Sequence, residues 1–364
     1  MSDNWRGRLI ERRNRLLASP RFQRWAARCV LTRPVARARA RELFDLVAGF
    51  TYSQTLAAFV HSGMLAALER GRLDGEELSA ATGLSEAASD RLVRAAAALG
   101  LAERVGAGWM LGSAGAALLG NRGIVEMIGH HQLLYADLAD PVAALRTRGG
   151  GELSRYWHYA EASGEGSDGE VAGYSALMAA SQPLVADQLI DAYRFDRHAH
   201  VLDVGGGEGA FVERLHARHP EVRATVVDLP AVAERARGRF AGVPGLAAIG
   251  GDFLAGDLPA GQECVTLVRI LHDHEDTAVR TLLRNIRAAL APGGRLVIAE
   301  PMAGTSGAEA SGEAYFGWYL WAMGSGRPRC VSEYRAMLGE AGFASVRVLR
   351  TNLPITTRVI VARA

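Results

Sequence analysis

From residue 200 onward, apolar runs of strand length alternate with helical segments, and this alternation constrains the fold more than any other feature of the chain. Strands are expected at 200–204, 223–227, 247–249, 264–268, 295–299, 345–350 and 357–362, with helices over 210–218, 231–239, 277–290 and 332–341. Strands that alternate with helices imply a parallel sheet covered on both faces, an α/β class. The last two strands are separated by only about six residues around Asn352-Leu353-Pro354. A parallel crossover needs a dozen residues or more, so the final strand must run antiparallel.

The first half reads differently. Residues 43–119 are Ala-rich and helical in pattern. Glu76 to Leu84 reads as a short helix ended by Gly83, and Ser85 caps a second one with Leu92, Ala95, Ala96 and Leu99 on its buried face. Leu101–Val105 and Trp109–Leu111 flank Gly106-Ala107-Gly108 as a small hairpin. Helix, turn, helix and hairpin together suggest a winged helix. Such a unit raises DNA binding, but Glu86, Asp90, Arg91 and Arg94 balance one another on the candidate recognition helix. Few groups there suit phosphates, so nucleic acid is not an expected partner. Residues 121–160 are expected to be helical, 161–170 to form a polar Gly/Ser loop, and 174–193 to form a further helix.

The segment up to Arg41 is Arg-rich, with Trp5, Leu9, Ile10, Leu16, Leu17, Phe22 and Trp25 at roughly helical spacing. It reads either as a solvated arm packing on a partner subunit or as a basic face lying on an anionic membrane. No apolar run is expected to span a bilayer and no signal-peptide core is seen, so a cytoplasmic location is expected.

All 41 basic residues are arginine. The absence of lysine excludes Schiff-base, P-loop and kinase chemistry. Cys29, Cys264 and Cys330 form no CxxC pair, which leaves neither a disulfide framework nor a thiolate metal site.

"VLDVGGGEGAF", residues 201–211, is the chemical centre of the second half. Gly205, Gly207 and Ala210 satisfy G-x-G-x-x-G/A, and Asp228 lies 23 residues beyond Gly205, so a dinucleotide fits the bare pattern. The surrounding acids shift the balance. Asp203 ends the first strand, Glu208 sits in the loop, Asp228 ends the second strand before Leu229, and Asp252-Phe253 follows the third. Sulfonium, ammonium and ribose tolerate acids and phosphates do not. The ligand so described is S-adenosyl-L-methionine.

"LDVGGGEGAF", "VVDLP", "GDFL", "LVRILHDHED", "LAPGGRLVIAEPM" and "SEYRAMLGEAGF" resemble the plant-type small-molecule O-methyltransferases over nearly the whole chain. "FDLVAGFTYSQTLAAFV", "HHQLLYADLADPVAAL" and "YSALMAASQPLVADQLIDAY" are similar to the bacterial hydroxyneurosporene (demethylspheroidene) O-methyltransferases of carotenoid synthesis. The resemblance implies a Rossmann-like methyltransferase sheet over 186–364 and a helical winged-helix dimerisation domain over 1–185, assembled as a homodimer. It implies cofactor contacts at Gly205, Gly207, Asp228, Asp252, Phe253 and Arg269, with Met178 and Gln182 nearby; Asp203, from its place at the strand end, and Leu229 are expected contacts beside them. His272 falls on the family's base and Glu300 on the acid that orients it. The family's second acid should fall near Pro328, where no carboxylate stands, which leaves open a mechanism carried mainly by positioning.

His274, Glu275 and Asp276 raise a metal site beside His272, but the i, i+3 or i+4 ligand spacing is absent and no metal is expected. His274 is expected to pack as an aromatic would, and Asp273 to cap or orient the loop. Residues 315–323, "YFGWYLWAM", read either as a core helix or as one wall of a long apolar pocket, with Tyr319 and Met323 touching substrate. The expected activity is methyl transfer to a hydroxyl of a lipophilic small molecule, a 1-hydroxy carotenoid. An aromatic or polyketide hydroxyl is the alternative acceptor, and an NAD-dependent reductase or a winged-helix regulator is the alternative outside the class.

Overall fold

The computed structural model describes residues 3–156 and 182–364. The expected loop at 161–170 and Met178 lie outside the described residues. The chain divides into two compact units, one up to Leu119 and one from Gly120 to Ala364.

The first unit begins with α1 (Asp3–Ala18), α2 (Pro20–Arg28) and α3 (Arg33–His61). Ser19 caps α2 through the Phe22 N–H, and Pro20 and Pro34 sit in the first turns of α2 and α3, where a missing N–H costs nothing. The expectation that no segment could span a bilayer is corrected by α3, which is long and apolar enough to do so by length and composition. Its arginines cluster in the N-terminal third, but Asp45, Thr51, Ser53, Gln54 and Thr55 interrupt the apolar remainder, so the sequence shows no unbroken apolar run of that length. Leu43, Phe44, Leu46, Val47 and Phe50 are all exposed on it.

Then come α4 (Met64–Glu69), α5 (Gly75–Thr82), α6 (Glu86–Ala98), the hairpin β1 (Ala102–Val105) and β2 (Gly108–Leu111), and α7 (Ser113–Leu119). Helix, turn, helix and hairpin thus occur in the expected order. Asp74 and Glu77 form a reciprocal capping box on α5, and Gly83 ends it in the left-handed conformation. Ser85 caps α6 as expected, but the face it buries is centred on Val93 and Ala96, with Leu92, Ala95 and Leu99 only half-buried.

The second unit opens with α8 (Arg122–Asp137) and α9 (Pro141–Thr147), broken where Asp140 caps the next helix and where Gly149 to Gly151 intervene. Leu134 and Leu153 pack with Tyr319, Leu320 and Met323. That packing explains why the boundary falls after Leu119 rather than at the expected 185/186: α8 and the short helical stretch at 152–156 bury Leu134 and Leu153 against the helix that carries Tyr319 and Met323, within the second unit.

Residues 182–192 are helical (α10). The alternating region follows as β3 (His200–Val204), α11 (Ala210–Arg218), β4 (Arg223–Asp228), α12 (Pro230–Arg239), β5 (Leu246–Gly250), β6 (Gln262–Val268), α13 (Asp276–Ala289) and β7 (Leu290–Glu300). A π-helix at Ala310–Phe316 runs into α14 (Gly317–Met323), and α15 (Val331–Glu340), β8 (Ser345–Leu349) and β9 (Arg358–Arg363) complete the unit. The sheet order is β5-β4-β3-β6-β7-β9-β8. β9 runs antiparallel to both β7 and β8, as its short connection requires, and the remaining pairings are parallel. Two apolar cores flank the sheet, one around Phe195, Phe211 and Phe240 and one around Leu282, Ile286 and Tyr334. The strand order reverses between β3 and β6, and ligands of open α/β sheets bind at the carboxyl edge of such a reversal.

Candidate active site

At that reversal Asp203 and Thr266 are cross-strand neighbours. Asp203 is 1% exposed, and its Oδ1 accepts the Thr266 hydroxyl at 2.6 Å. Its Oδ2 has no hydrogen-bond partner among the described residues. No described backbone N–H of the glycine loop bonds it. Burial, opposed by the Thr266 bond and assisted by the Asp228 charge, pushes the carboxyl up to about 7. The loop passes so close above it that a Cβ at Gly206 would stand 2.4 Å from Oδ2, so only glycine allows the crossing.

Gly205 donates its N–H to Val227 O at 2.8 Å, which ties the loop to β4. Gly207 donates to Asp228 Oδ2 at 2.8 Å, and the Leu229 N–H donates to Asp228 Oδ1 at 2.7 Å. Burial also raises the Asp228 carboxyl above the usual range. Asp252 Oδ1 accepts the Leu254 N–H at 2.8 Å, and Asn285 holds the carbonyls of Phe253 and Leu254 at 2.9 and 3.0 Å. Arg269 follows β6 at a φ of 60°, a left-handed conformation that a non-glycine residue adopts only when its surroundings enforce it. Its N–H is pinned to Ala299 O at 2.9 Å.

His272 lies in a single 3-10 turn just beyond Arg269 and is 4% exposed. Its Nδ1 meets Glu300 Oε2, a carboxylate with no exposure at the end of β7. Glu300 Oε1 accepts the backbone N–H groups of Ile270 at 2.9 Å and Leu271 at 2.6 Å. On the other side, His272 Nε2 is 3.1 Å from Asp273 Oδ1. Among the described residues Oδ1 forms no aligned hydrogen bond, so this contact is an ion-pair approach rather than a directed bond. Burial alone would depress the imidazole, but the Asp273 and Glu300 carboxylates outweigh it and hold His272 above its ordinary value. Burial raises the Asp273 carboxyl. His274 turns away and packs edge-on against Phe253, with centroids 5.9 Å apart.

A chain of rings leads from the imidazole. Phe316 stands edge-on to His272 at 5.8 Å and to Tyr315 at 4.9 Å. Tyr315 neighbours Tyr319 at 6.2 Å and His131 of α8 at 5.5 Å. His130 Nε2 lies 2.7 Å from the Tyr319 hydroxyl, and burial, with the nearby His131, lowers this histidine to about 4. Tyr319 and Met323 are both buried, and Met323 faces the Leu134–Leu153 cluster.

A family model described as O-methyltransferase domain matches residues 135–344. The demethylspheroidene O-methyltransferase of Cereibacter sphaeroides is 38% identical over 96% of this chain and 93% of its own. That of Rhodobacter capsulatus is 40% identical over 96% of this chain and 88% of its own. The chain belongs to the O-methyltransferase family. Among solved structures, the pyocyanin biosynthetic protein PhzM superposes with a TM-score of 0.75 at 25% identity, covering 90% of this chain and 99% of its own. The S-adenosylmethionine-dependent methyltransferase SibL gives 0.73 at 25% identity, covering 88% and 98%.

S-adenosylmethionine is the cofactor of this O-methyltransferase, and the crevice suits it. It offers an unpartnered buried carboxylate oxygen beneath a glycine crossing and two acids raised by burial, a donor set for a cation. The expected contacts Asp203, Gly205, Gly207, Asp228 and Leu229 form one hydrogen-bonded edge of the enzyme's sheet, and Asp252, Phe253 and Arg269 follow neighbouring strands. Gln182 opens α10, and its Oε1 is buried without a hydrogen-bond partner among the described residues. Two neighbours of these residues have no signal in the sequence. Thr266 carries no motif signal, and Asn285 reads as an ordinary polar helix residue. Asp273, which the sequence marks as a residue that caps or orients the loop, also places a second carboxylate beside the imidazole.

Proposed function

We propose that this enzyme methylates the tertiary hydroxyl of a 1-hydroxy carotenoid, with His272 as the base. Bound S-adenosylmethionine supplies a methyl group already carried on a good leaving group, so the protein's main task is alignment. Asp203, Asp228 and the Gly205–Gly207 backbone would hold the cofactor, with Asp252, Phe253 and Arg269 around it. Glu300 fixes the Nδ1–H tautomer, which leaves the Nε2 lone pair to receive the acceptor's proton. A tertiary alcohol is far less acidic than an imidazolium, so His272 removes the proton with or after methyl transfer rather than before it. Asp273 and Glu300 stabilise the imidazolium that results.

The observation that carries the acceptor class is the ring chain from His272 through Phe316 and Tyr315 to α8, an apolar wall suited to a long polyene. The two demethylspheroidene O-methyltransferases, similar over almost the whole chain, support the same acceptor. Other relatives named for smaller aromatic acceptors, such as 3-amino-4-hydroxybenzoate 4-O-methyltransferase of Streptomyces cremeus at 30% identity, favour the phenol alternative. Product mass after incubation with S-adenosylmethionine and either a 1-hydroxy carotenoid or a phenol panel decides between them. Methylation of phenols alone rejects the carotenoid.

The first unit has two proposed roles. A second copy of the chain covers the exposed apolar side of α3, giving the homodimer; sedimentation equilibrium of Leu46→Glu should then report a monomer. The arm carries twelve arginines and two acids over residues 1–41, with Trp5 and Trp25 exposed, a composition suited to an anionic lipid surface. The proposed location is accordingly cytoplasmic, at the face of the inner or photosynthetic membrane. Replacing Arg21, Arg24 and Arg28 with Gln should reduce co-sedimentation with anionic vesicles; unchanged binding rejects this contact.

A further inference from the structure

A strap of five residues, Ser325-Gly326-Arg327-Pro328-Arg329, crosses the turn that carries His272. It takes four consecutive carbonyls of that turn. Arg329 Nη1 donates to Leu271 O at 2.5 Å, the Arg327 N–H to His272 O at 2.9 Å, Ser325 Oγ to Asp273 O at 2.8 Å, and Arg329 Nη2 to His274 O at 2.7 Å. The approach is close: Gly326 has a φ of 73°, and a Cβ there would stand 2.0 Å from His272 O. Arg148 braces the strap from outside, bonding Gly326 O at 3.1 Å and Glu275 Oε1 at 2.5 Å.

Arg329 has no solvent exposure and heads the largest fully buried side chains among the described residues. Its guanidinium also holds Asp276 Oδ1 through Nε at 2.9 Å and Nη2 at 2.7 Å. Burying a guanidinium is expensive unless nearly every donor is used. A single 3-10 turn leaves its carbonyls without helical partners, and a rigid fork of donors can satisfy several of them at once. The strap contains Pro328, the position where the resemblance implies a second acid, yet it addresses the backbone on both sides of His272 rather than the ring.

We propose that Arg329 is the positioning residue of His272. Its fork sets the height and rotation of the 271–274 backbone, and so decides whether Nδ1 meets Glu300 and Nε2 faces the acceptor. The catalytic consequence rests on the reading of His272 as the base.

The test is Arg329→Lys in the full-length enzyme. Lysine keeps the charge and cannot span three acceptors. Misplacing a reacting group by about 1 Å costs on the order of a hundredfold in rate, so kcat should fall by roughly that factor while the cofactor dissociation constant from calorimetry stays nearly unchanged. The downfield proton resonance of His272 Nδ1–H, assigned by its loss in His272→Gln, should broaden or disappear. The rising limb of the kcat–pH profile should move toward lower pH as the ring leaves its carboxylates. A purely structural role would lower the melting temperature and leave the limb in place, which overturns the proposal. Should Arg329→Lys not fold, Ser325→Ala removes only the Asp273 carbonyl's partner and should shift the same resonance with a several-fold smaller kcat; an unchanged resonance and kcat overturn it as well. Full activity in His272→Gln would remove the base reading, and with it the catalytic consequence, whatever the resonance does in Arg329→Lys.

Discussion

Glu300 grips His272 twice: Oε2 meets the imidazole Nδ1, and Oε1 accepts the N–H groups of Ile270 and Leu271 just before it in the chain. One buried carboxylate therefore fixes both the ring and the backbone that carries it. Replacing Glu300 with Gln preserves an acceptor for the two N–H groups and removes the charge. We expect kcat to fall by about a hundredfold with cofactor affinity intact, and His272→Gln to cost roughly 10²- to 10⁴-fold, the span of positioned general bases. Single-turnover methyl transfer measures both. Wild-type turnover in His272→Gln would remove the base.

The pH profile follows from the same carboxylates. His272 is held above its ordinary value, near 6.5, by Asp273 and Glu300 against the opposing effect of burial. A base works when neutral, so kcat should rise with pH through an apparent value above the ordinary one. In Glu300→Gln that limb should shift to lower pH. For stability the sign is opposite: a raised histidine favours the folded state below the unfolded value, and this contribution is lost as pH rises through the folded one. A limb that stays in place in Glu300→Gln contradicts the account.

The cofactor crevice predicts proton release on binding. Burial raises Asp203 to about 7 and raises Asp228 as well. A cationic ligand favours their ionised forms, so below pH 7 binding must expel a proton and affinity should fall by up to about tenfold per pH unit. Calorimetry in two buffers of different ionisation enthalpy counts the protons. Equal heats at pH 6 would refute the linkage.

Thr266→Val tests the floor of the crevice. The hydroxyl donates to Asp203 Oδ1, 2.6 Å away, inside a core where neither residue reaches solvent. Removing it should destabilise the protein by about 1–3 kcal/mol. The loss should be smaller at pH 6, where Asp203 is mostly protonated, than at pH 8, where the carboxylate is charged and unpartnered. Urea melts at the two pH values measure the difference.

In the alternating half the strands and helices lie within one or two residues of expectation except β7, which runs over Leu290–Glu300 where the sequence marks only 295–299. β3 and α11 fall where expected because strands buried on both faces leave unbroken apolar runs, and glycines or acids punctuate their ends. The domain boundary was not legible. Residues 122–156 read as helix wherever they pack, and only the contacts of Leu134 and Leu153 with Tyr319 and Met323 assign them to the second unit. Arg329 was hidden for a related reason: an arginine in a Gly/Pro loop reads as surface, and nothing local announces that the turn it buries against needs four carbonyls satisfied.

By itself, the order of residues determined which acids stand at which strand ends, because a strand's register along its own chain is local. It thereby determined the antiparallel finish and the class of cofactor. Only the tertiary structure decided what those acids do to one another. The bonds from Asp203 to Thr266 and from His272 to Glu300 join residues 63 and 28 positions apart, and protonation follows from burial that no single segment creates.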